Sequence, residues 1–395
     1  MRTEGTRPLR VLQVTNTAVG GEWFYCQVTG LAQLGHEVIA VLPAEGPLTN
    51  RVRAAGIHVE IVPLSGWRPR QMPRVVAAEL KLVRLIRRLR PDIVHAHLLK
   101  SNVACRIAGL VASRPLQVSQ LPGAAHLRSP ILRRIDLGTL GAADVVIASC
   151  EDFARRYRQF GARSVAVSHY GFDLRPYHPT VPPEPFRREF GLDATTPTVG
   201  MLAYMYPGQV KAFRDIGVKG HEVMLDAIPH LLSLVPDAHV FIVGDELRGD
   251  GTYRRSLEDR ARRLGIAGRT HFTGHRSDVP TVLAGLDVLV TPSVDESASG
   301  ATVQALLMER GVVASDVGGL PDTVQHGETG LLVPPGDPLA VAEAVAELIQ
   351  DPARRQELGR LGRLRCLRRF DVHRTVADIE RVYRTALAGR QEATL

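Results

Sequence analysis

The chain has 395 residues, of which 45% are hydrophobic, 23% charged and only 5% aromatic. This length exceeds one hydrophobic core and predicts two domains, while the apolar fraction excludes disorder for the chain as a whole. The net charge of +8 is uneven, because residues 1–185 carry a net +11 and residues 186–395 a net −3. Because aromatic side chains that could stack on bases are few and no recognition motif is present, no nucleic-acid partner is expected.

Other bulk features argue against a disulfide framework, a zinc site and a membrane-spanning protein. The polar N-terminus shows no secretory signal, and no apolar run reaches the roughly 18 residues of a transmembrane helix. Four scattered cysteines without a CxxC spacing are typical of reduced thiols. They are Cys26, Cys105, Cys150 and Cys366. We therefore expect a cytoplasmic protein.

Short apolar runs alternate with longer amphipathic stretches, such as 27–35 and 74–89, along the first half of the chain. Strands separated by helices of this length form βαβ units, in which helices cover both faces of a parallel sheet. The predicted strands of this half are 9–14, 38–42, 58–62, 92–96, 116–118 and 144–148.

Five prolines between residues 176 and 186 interrupt this alternation. Because proline fixes φ and is barred from helix interiors and central strands, we expect an interdomain connector here. The alternation then restarts with strands at 199–204, 239–243, 270–273, 288–291, 312–315 and 330–333. The sequence thus predicts two doubly wound, Rossmann-like α/β domains with a ligand cleft between them. We place these domains at 1–180 and 181–371, and expect a C-terminal helix within 372–395 to pack on either domain, the N-terminal one being favoured.

Two loops carry the strongest chemical signals. Gly20 and Gly21 lie between a predicted strand and a helix, where the backbone can approach a ligand and the helix N-terminus favours an anion. The loop is not GxGxxG, so a tight turn without a ligand is an equal alternative. In the second half, the run 291–302 follows an apolar strand and opens a helix that Ser299 can cap. The first N–H groups of that helix are suited to a diphosphate.

The order of several short motifs resembles that of GT-B glycosyltransferases of family 4, the group 1 glycosyl transferases, which retain anomeric configuration. The motifs that carry the resemblance are Gly20-Gly21, Arg90-Pro91-Asp92, Lys219-Gly220-His221, Pro292-Ser293 with Glu296 and Gln304-Ala305, Gly318-Gly319 with Asp322, and Gly327-Glu328-Thr329-Gly330. The resemblance covers nearly the whole chain. It implies the GT-B fold, in which two Rossmann-like domains enclose a cleft.

The resemblance also implies roles for individual residues. Lys219 would meet the donor diphosphate and stabilise the leaving-group charge, and Glu296 would contact the donor sugar. His126 completes the expected catalytic set, because family members often carry a sugar-contacting histidine in this loop; an ordinary solvated side chain is the alternative. The implied donor-binding residues are Gly20, Gly21, Gly244, Arg276, Ala298, Ser299, Gly300, Ala301 and Gln304.

Two positions depart from the family pattern. Gln304 replaces the second acid, which normally hydrogen-bonds the ribose hydroxyls; glutamine keeps two such bonds but loses their charge-assisted strength. Met201 lies where the family has a diphosphate-binding arginine, and an insertion at 206–217 follows it. Lys211 or Arg214 of this insertion is the expected replacement for the missing charge, and both are added to the donor-binding set.

We expect the histidines outside these motifs to have mainly structural roles. His95 and His97 lie two residues apart on a predicted strand and share one side of it, which leaves a metal pair and a polar strand end as alternatives. No further Cys or acid clusters with them in the sequence, so the polar strand end is favoured. His169, near the domain junction, is expected to be structural.

The resemblance implies a retaining, hexosyltransferase-type enzyme that moves a sugar from a UDP- or GDP-sugar to a small-molecule, glycan or lipid acceptor. No carboxylate of the first half stands out as a covalent nucleophile, so we expect front-face displacement, in which a diphosphate oxygen takes the acceptor proton. No DxD triplet is present, so neither a metal nor a cofactor is expected, and the nucleotide sugar is a co-substrate. Another GT-B enzyme, such as an epimerase or phosphorylase, and a non-catalytic nucleotide-sugar-binding protein remain as alternatives.

Basic residues concentrate around the helix predicted at 74–89, whose apolar residues recur at helical spacing. A solvated outer face is favoured, and attraction to anionic lipid or to an acidic acceptor is the alternative, which would bring peripheral membrane contact. The basic residues are Arg68, Arg70, Arg74, Lys81, Arg84, Arg87, Arg88 and Arg90.

Overall fold

The computed structural model describes residues 7–64, 69–123, 125–207, 213, 215–246, 249–297 and 299–392. Within them the chain forms thirteen strands, and most of these are apolar runs buried along nearly their whole length. They are β1 (Arg10–Val14), β2 (Glu37–Leu42), β3 (His58–Ile61), β4 (Ile93–His97), β5 (Leu116–Leu121), β6 (Val145–Ala148), β7 (Val165–Val167), β8 (Thr198–Leu202), β9 (His239–Val243), β10 (Thr270–Gly274), β11 (Val288–Thr291), β12 (Gly311–Ser315) and β13 (Leu331–Val333).

Fifteen α-helices connect or flank the strands within the same described ranges. They are α1 (Glu22–Gln33), α2 (Pro47–Ala54), α3 (Met72–Leu89), α4 (Leu99–Val111), α5 (Pro130–Leu140), α6 (Glu151–Gln159), α7 (Glu184–Glu189), α8 (His221–Leu234), α9 (Thr252–Arg263), α10 (Val279–Gly285), α11 (Gly300–Leu307), α12 (Leu320–Thr323), α13 (Pro338–Gln350), α14 (Pro352–Arg369) and α15 (Val372–Glu392). None of the described helices is both long and apolar enough to span a membrane.

The twelve strands predicted from apolar runs are all present, with their ends displaced by up to three residues. The sequence does not predict β7, because this strand is only three residues long and only half-buried. The prediction of a connector at 176–186 is wrong for its last three residues, because helix α7 begins at Glu184. Pro185 lies in the first turn of α7, where its missing N–H costs the helix no hydrogen bond.

The chain divides into two compact units. Unit 1 comprises Met1–Asp173 and Phe370–Leu395, and unit 2 comprises Leu174–Arg369. These divisions lie slightly before the breaks expected after residues 180 and 371. The last helix, α15, lies in unit 1, where it packs against α1.

Unit 1 is built on a seven-stranded parallel sheet in the order β3-β2-β1-β4-β5-β6-β7. Alternate residues of β1, an interior strand of this sheet, face opposite sides. Val11 belongs to an apolar cluster with residues of α1 and α15, whereas Leu12 belongs to one with residues of α3 and α4. Helices therefore cover both faces of the sheet, as the continuous apolar runs of its strands require.

Polar side chains interrupt the apolar interior of unit 1 between β1, β4 and α15. His97 Nε2 lies 2.7 Å from Gln13 Oε1, and the Tyr383 hydroxyl lies 2.5 Å from His95 Nδ1 and accepts a hydrogen bond from Gln13 Nε2 at 2.9 Å. Burial lowers the pKa of His95 to about 3, so its ring is neutral at physiological pH. The two histidines thus form a buried polar network at the strand end, in line with the favoured alternative.

Unit 2 is built on a six-stranded parallel sheet in the order β10-β9-β8-β11-β12-β13. Its core joins the sheet to α8 and α13. The chain order reverses between β8 and β11, and in open α/β sheets a ligand binds outside the carboxyl ends of the strands at such a reversal. The fold therefore places the loops after β8 and β11 at the position where a ligand is expected.

Candidate active site

The loops at the carboxyl edge of the unit 2 sheet are joined to one another by backbone hydrogen bonds. Met205 N–H donates to Asp245 O at 3.0 Å, and Gly244 N–H donates to Gly274 O at 2.9 Å. The segment before α8 is joined to the loop after β11, because Val294 N–H donates to Val218 O at 3.0 Å. These contacts link the loops that carry most of the predicted donor-binding residues.

Lys219 and Glu296 form an ion pair at this edge, with 2.6 Å between Nζ and Oε2. The Glu296 side chain is only 7% exposed, and two further donors bind its carboxylate. Ser293 Oγ donates to Oε2 at 3.3 Å, and Ser297 N–H donates to Oε1 at 3.1 Å. The structure therefore brings together the two residues that the sequence predicts for the diphosphate and the sugar.

The ion pair determines the charge state of the Lys-Gly-His segment. Burial lowers the pKa of Lys219, but the Glu296 carboxylate outweighs burial, so the net pKa lies above the usual value. Burial, assisted by the Lys219 charge, lowers the pKa of the neighbouring His221 to about 3. At neutral pH Lys219 is thus the cation of this segment and His221 is uncharged.

Two glycines allow the backbone to pass close to the ion pair. Gly220 has a φ of 75°, and a Cβ on it would lie 1.9 Å from Pro292 O. Gly318 has a φ of 58°, and a Cβ on it would lie 1.8 Å from Glu296 O. Both positions combine a left-handed backbone with a backbone neighbour that leaves no room for a side chain. The close approach of Gly318 holds the main chain of Glu296 in place.

Helix α11 begins beside the ion pair, and Ser299 caps it as the sequence predicts. Thr302 N–H donates to Ser299 Oγ at 3.3 Å. Gly300 and Ala301 form the first turn, whose N–H groups have no acceptor within the helix and carry its positive dipole end. Ala298, which the sequence assigns to donor binding, lies outside the described residues, as do Lys211 and Arg214.

Gln304 lies one turn further along α11, and a side chain from the beginning of unit 2 holds it. Its Nε2 donates to the Tyr177 hydroxyl at 2.7 Å. Because the amide nitrogen has this partner, Oε1 is the group that Gln304 can offer to a hydroxyl donor.

Arg276 has its guanidinium engaged by acidic side chains. Nη1 lies 2.6 Å from Glu189 Oε1, and Nη2 lies 2.8 Å from Asp278 Oδ2. The hydrogen bonds that the guanidinium donates to these two carboxylates raise its pKa above the usual value. The side chain of Arg276 is therefore occupied, and its predicted contact with the donor stays a prediction.

In unit 1, Gly20 and Gly21 both adopt left-handed conformations directly before α1, with φ angles of 67° and 75°. Apart from Gly20 itself and its two chain neighbours, no residue that the structure describes has an atom within 4 Å of the position that a Cβ on Gly20 would take. The loop thus has the open, glycine-dependent geometry expected from the sequence, and its contact with the donor stays a prediction.

His126 lies in a single turn of 3-10 helix, Ala125–Arg128, and its ring is held by a buried acid. Its Nε2 lies 3.0 Å from Asp136 Oδ2 and 3.0 Å from the Tyr157 hydroxyl. Arg106 completes the network, with Nη1 2.7 Å from Asp136 Oδ1. Because Nε2 is engaged within unit 1, only the Nδ1 edge of His126 is left for a ligand, and its predicted sugar contact stays a prediction.

No group of three or more His, Cys, Asp or Glu is arranged to hold a metal ion in the part of the chain that the structure describes. The four cysteines are buried, and none of them forms a disulfide.

Comparison with known proteins assigns the family. Residues 24–171 match the model of the glycosyl transferase 4-like domain, and residues 207–351 match that of glycosyl transferases group 1. The chain belongs to the group 1 glycosyltransferases. One matched segment lies in each unit and together they cover most of the chain, so the family assignment extends over most of this glycosyltransferase.

Curated relatives of this glycosyltransferase match most of its length. D-inositol 3-phosphate glycosyltransferase of Corynebacterium urealyticum is 29% identical over 382 residues, which cover 89% of this chain and 87% of the relative. The 2-deoxystreptamine glucosyltransferase of Streptomyces kanamyceticus is 27% identical, and the alignment covers 78% of this chain and 82% of that one.

Solved structures share the GT-B fold. The Anabaena protein Alr3699/HepE, crystallised with UDP, superposes with a TM-score of 0.81 at 24% identity, covering 95% of this chain and 100% of that one. Sucrose-phosphate synthase of Thermosynechococcus elongatus superposes with a TM-score of 0.76 at 20% identity, covering 96% and 100%. Both confirm the predicted architecture of two Rossmann-like domains.

Sequence reasoning missed several residues that support this glycosyltransferase site. Ser293 is part of a quoted motif, yet its hydrogen bond to Glu296 has no signature beyond the three-residue spacing. Tyr177 lies in the proline-rich segment, 127 residues from its partner Gln304, so no local pattern could reveal the contact. Asp136 occupies the buried face of α5, where an acid amid apolar residues is the one signal that could have indicated a paired charge.

Gly318→Ala should destabilise the glycosyltransferase more than Gly327→Ala does. Both glycines have positive φ, which costs an alanine about 1–2 kcal/mol. Gly327 has open space at the Cβ position, whereas a Cβ on Gly318 meets Glu296 O, which adds about 1–3 kcal/mol. Urea unfolding of both variants measures the difference. Equal losses would show that the close approach at Gly318 is unimportant.

Asp136→Asn should destabilise unit 1 in a pH-dependent way. Burial raises the pKa of Asp136, but His126, Arg106 and Tyr157 together hold it below the usual value of 3.8. A lowered folded-state pKa stabilises the fold above the unfolded pKa, and this stabilisation is lost as pH falls through the folded pKa. Near neutral pH the variant should lose about 3–5 kcal/mol, because Arg106 is left buried without its partner.

The gap in unfolding free energy between wild type and Asp136→Asn should narrow below about pH 4 when urea unfolding is repeated across pH. Asp378→Asn breaks an exposed pair with Arg381 and serves as the control, with an expected cost under about 1 kcal/mol. A gap that stays constant with pH would contradict the assigned ionisation of Asp136.

Proposed function

We propose that this glycosyltransferase transfers a hexose with retention of configuration from a UDP- or GDP-sugar to a hydroxyl of a small-molecule, glycan or lipid acceptor. The observation that carries the proposal is the Lys219–Glu296 ion pair beside the N-terminus of α11, at the carboxyl edge of the unit 2 sheet. A protonated lysine and a helix N-terminus together suit a diphosphate.

In the proposed reaction, Lys219 and the first turn of α11 stabilise the negative charge that develops on the leaving diphosphate. The bond from the sugar C1 to the diphosphate oxygen breaks while the acceptor oxygen bonds to C1 on the same face. The acceptor proton passes to the departing diphosphate oxygen. Glu296 contacts the sugar, and His126 approaches it through Nδ1. The protein's own cationic groups supply the charge compensation, so the proposal includes neither a metal ion nor a cofactor.

The names of similar proteins support a nucleotide-sugar donor and include several kinds of acceptor. The Anabaena relative was crystallised with UDP, with UDP and glucose, and with UDP-glucose. Curated relatives are named for transfer to inositol 3-phosphate and to 2-deoxystreptamine, and one is a GDP-mannose-dependent mannosyltransferase. Each of these acceptors carries hydroxyl groups, which is the chemistry that the proposed displacement requires.

A thermal-shift screen against UDP, GDP, ADP and their sugars, run in EDTA, tests the donor proposal. A ligand at 100 times its dissociation constant stabilises the folded protein by about 2.7 kcal/mol, which shifts the melting temperature measurably. We expect one nucleotide series to stabilise the protein without metal. Slow release of sugar from the same donor, detected as free nucleoside diphosphate, would separate an enzyme from a binding protein. No shift with any nucleotide would overturn the proposal.

Lys219→Gln should weaken nucleotide binding, whereas Glu296→Gln should not. Removing the lysine deletes a charge-assisted contact of about 1.5–3 kcal/mol, so the dissociation constant for the nucleoside diphosphate should rise about 10- to 150-fold. Removing the glutamate charge frees Lys219 from its ion pair, so binding of the nucleoside diphosphate should hold or tighten while sugar transfer falls. Calorimetric titration and a transfer assay measure the two effects.

Glu357→Gln is the control for these variants, since it breaks an exposed ion pair with Arg360 far along the chain from the site. It should change neither binding nor transfer. If Glu296→Gln weakens diphosphate binding as much as Lys219→Gln does, with unchanged melting temperature, the division of roles between the two residues is wrong.

Gln304 is proposed to accept a hydrogen bond from a ribose hydroxyl through Oε1, with Tyr177 holding its amide nitrogen. Tyr177→Phe removes that anchoring bond, worth about 0.5–1.5 kcal/mol, so UDP or GDP affinity should fall about 2- to 10-fold. The loss should disappear with the 2′,3′-dideoxy nucleotide, which lacks the hydroxyls. An equal loss with both nucleotides would place the effect of Tyr177 elsewhere than on the ribose contact.

A further inference from the structure

Helices α3, α4 and α5 lie side by side on the surface of unit 1. Arg87 of α3 donates from Nη2 to Val111 O at the end of α4, at 2.9 Å. Arg106 of α4 reaches α5 through its ion pair with Asp136. The three helices thus form one continuous layer, called here the α3–α5 surface, which contains none of the predicted site residues.

Exposed apolar side chains are concentrated on the α3–α5 surface. Of the ten large apolar residues that the structure describes as exposed in unit 1, seven lie on these three helices, from 41% exposed for Ile107 to 71% for Ile131. On α3 they follow a spacing of four residues and therefore form a stripe along one side of the helix. The seven are Met72, Val76, Leu80, Ile107, Leu110, Val111 and Ile131.

The exposed charges on the same helices are all positive. The two acids that these helices carry are withdrawn from the surface, since Asp136 is fully buried and paired and Glu79 is half-buried. Burial raises the pKa of Glu79 to about 7, which weakens its charge at neutral pH. The exposed cations are Arg74, Lys81, Arg84, Arg87, Arg88, Arg133 and Arg134.

These cations differ from the arginines of α2 and α15 in their partners. Arg51 and Arg53 of α2 are paired with glutamates, and Arg381 and Arg384 of α15 with acids of their own helix. On the α3–α5 surface, five cations form no ion pair with any residue that the structure describes. They are Arg74, Lys81, Arg84, Arg133 and Arg134. Their positive charge is therefore not neutralised by any residue within the described ranges.

We propose that the α3–α5 surface docks on a lipid bilayer that contains anionic headgroups. Apolar side chains such as Val76 and Leu80 would enter the boundary between headgroups and acyl chains, and the neighbouring arginines would contact lipid phosphates. A nucleic acid or an acidic protein would use the cations alone, whereas a bilayer also offers an apolar layer to the exposed stripe. The proposal goes beyond sugar transfer and holds whatever donor or acceptor is used.

Vesicle co-sedimentation of the full-length protein tests the docking. Vesicles of phosphatidylcholine with a quarter phosphatidylglycerol are compared with pure phosphatidylcholine at low and at high salt. Wild type should bind the anionic vesicles, and binding should weaken as salt shortens the Debye length from about 10 Å at 0.1 M to 3 Å at 1 M. Absence of binding to the anionic vesicles, or equal binding to both compositions, overturns the proposal.

Two sets of surface variants separate the roles of charge and apolar contact. The triple change Arg74→Gln, Lys81→Gln, Arg84→Gln should weaken binding about 100-fold, because each cation near an anionic surface contributes roughly a factor of five. Its control removes three charges elsewhere on unit 1, by Arg53→Gln, Arg158→Gln and Arg381→Gln, and should keep most of the binding.

The double change Val76→Ser, Leu80→Ser should also weaken vesicle binding, whereas Leu364→Ser, Leu367→Ser on exposed positions of α14 should not. All four positions are exposed, so unchanged melting temperatures are expected. If only the charge variant loses binding and the protein binds a DNA duplex equally well, the surface is a general polyanion site and the bilayer proposal is wrong. Equal losses in variants and controls would also overturn it.

Discussion

The candidate site is built around one charge, the ammonium of Lys219, which persists in a largely buried position because Glu296 Oε2 lies 2.6 Å away. The surrounding structure serves that pair. Ser293 Oγ and the backbone N–H of residue 297 also donate to the Glu296 carboxylate, and Gly318 allows the chain to pass close to the Glu296 carbonyl. A buried ion pair of this kind adds little net stability over an apolar pair, so its presence is better explained by use than by folding.

In the proposed reaction, both partners of the ion pair meet the donor. The Lys219 ammonium has three N–H donors, so a diphosphate would share it with Glu296 and weaken the pairing beside the sugar. Recognition of the phosphates would thereby be coupled to presentation of the carboxylate to the sugar. The α11 N-terminus offsets the charge without moving, because its N–H groups are fixed by the Ser299 cap.

Most of the fold and about half of the site could be predicted from the sequence. The physical reasons for these predictions also explain which strands and contacts were missed. Parallel strands buried on both faces are continuous apolar runs, so twelve could be located, whereas the half-buried, three-residue β7 could not. Lys219 lies in a short motif directly before α8, and Glu296 lies in one shortly after β11, so the order of these motifs in the sequence indicates both residues. Tyr177 contacts Gln304, and Asp136 contacts His126, from a different element in each case. Such contacts produce no periodic pattern in the sequence.

The return of α15 to unit 1 also bears on how the chain is made. The Tyr383 hydroxyl that completes the polar interior of the first sheet comes 370 residues after its partner Gln13. Unit 2 is continuous in sequence and is fully synthesised before α15 exists. At about 5–20 residues per second, the nascent first sheet therefore waits roughly ten seconds or more with Gln13 and His95 lacking their last partner. The second unit along the chain can finish folding first, and the N-terminal sheet is completed only after α15 has been made.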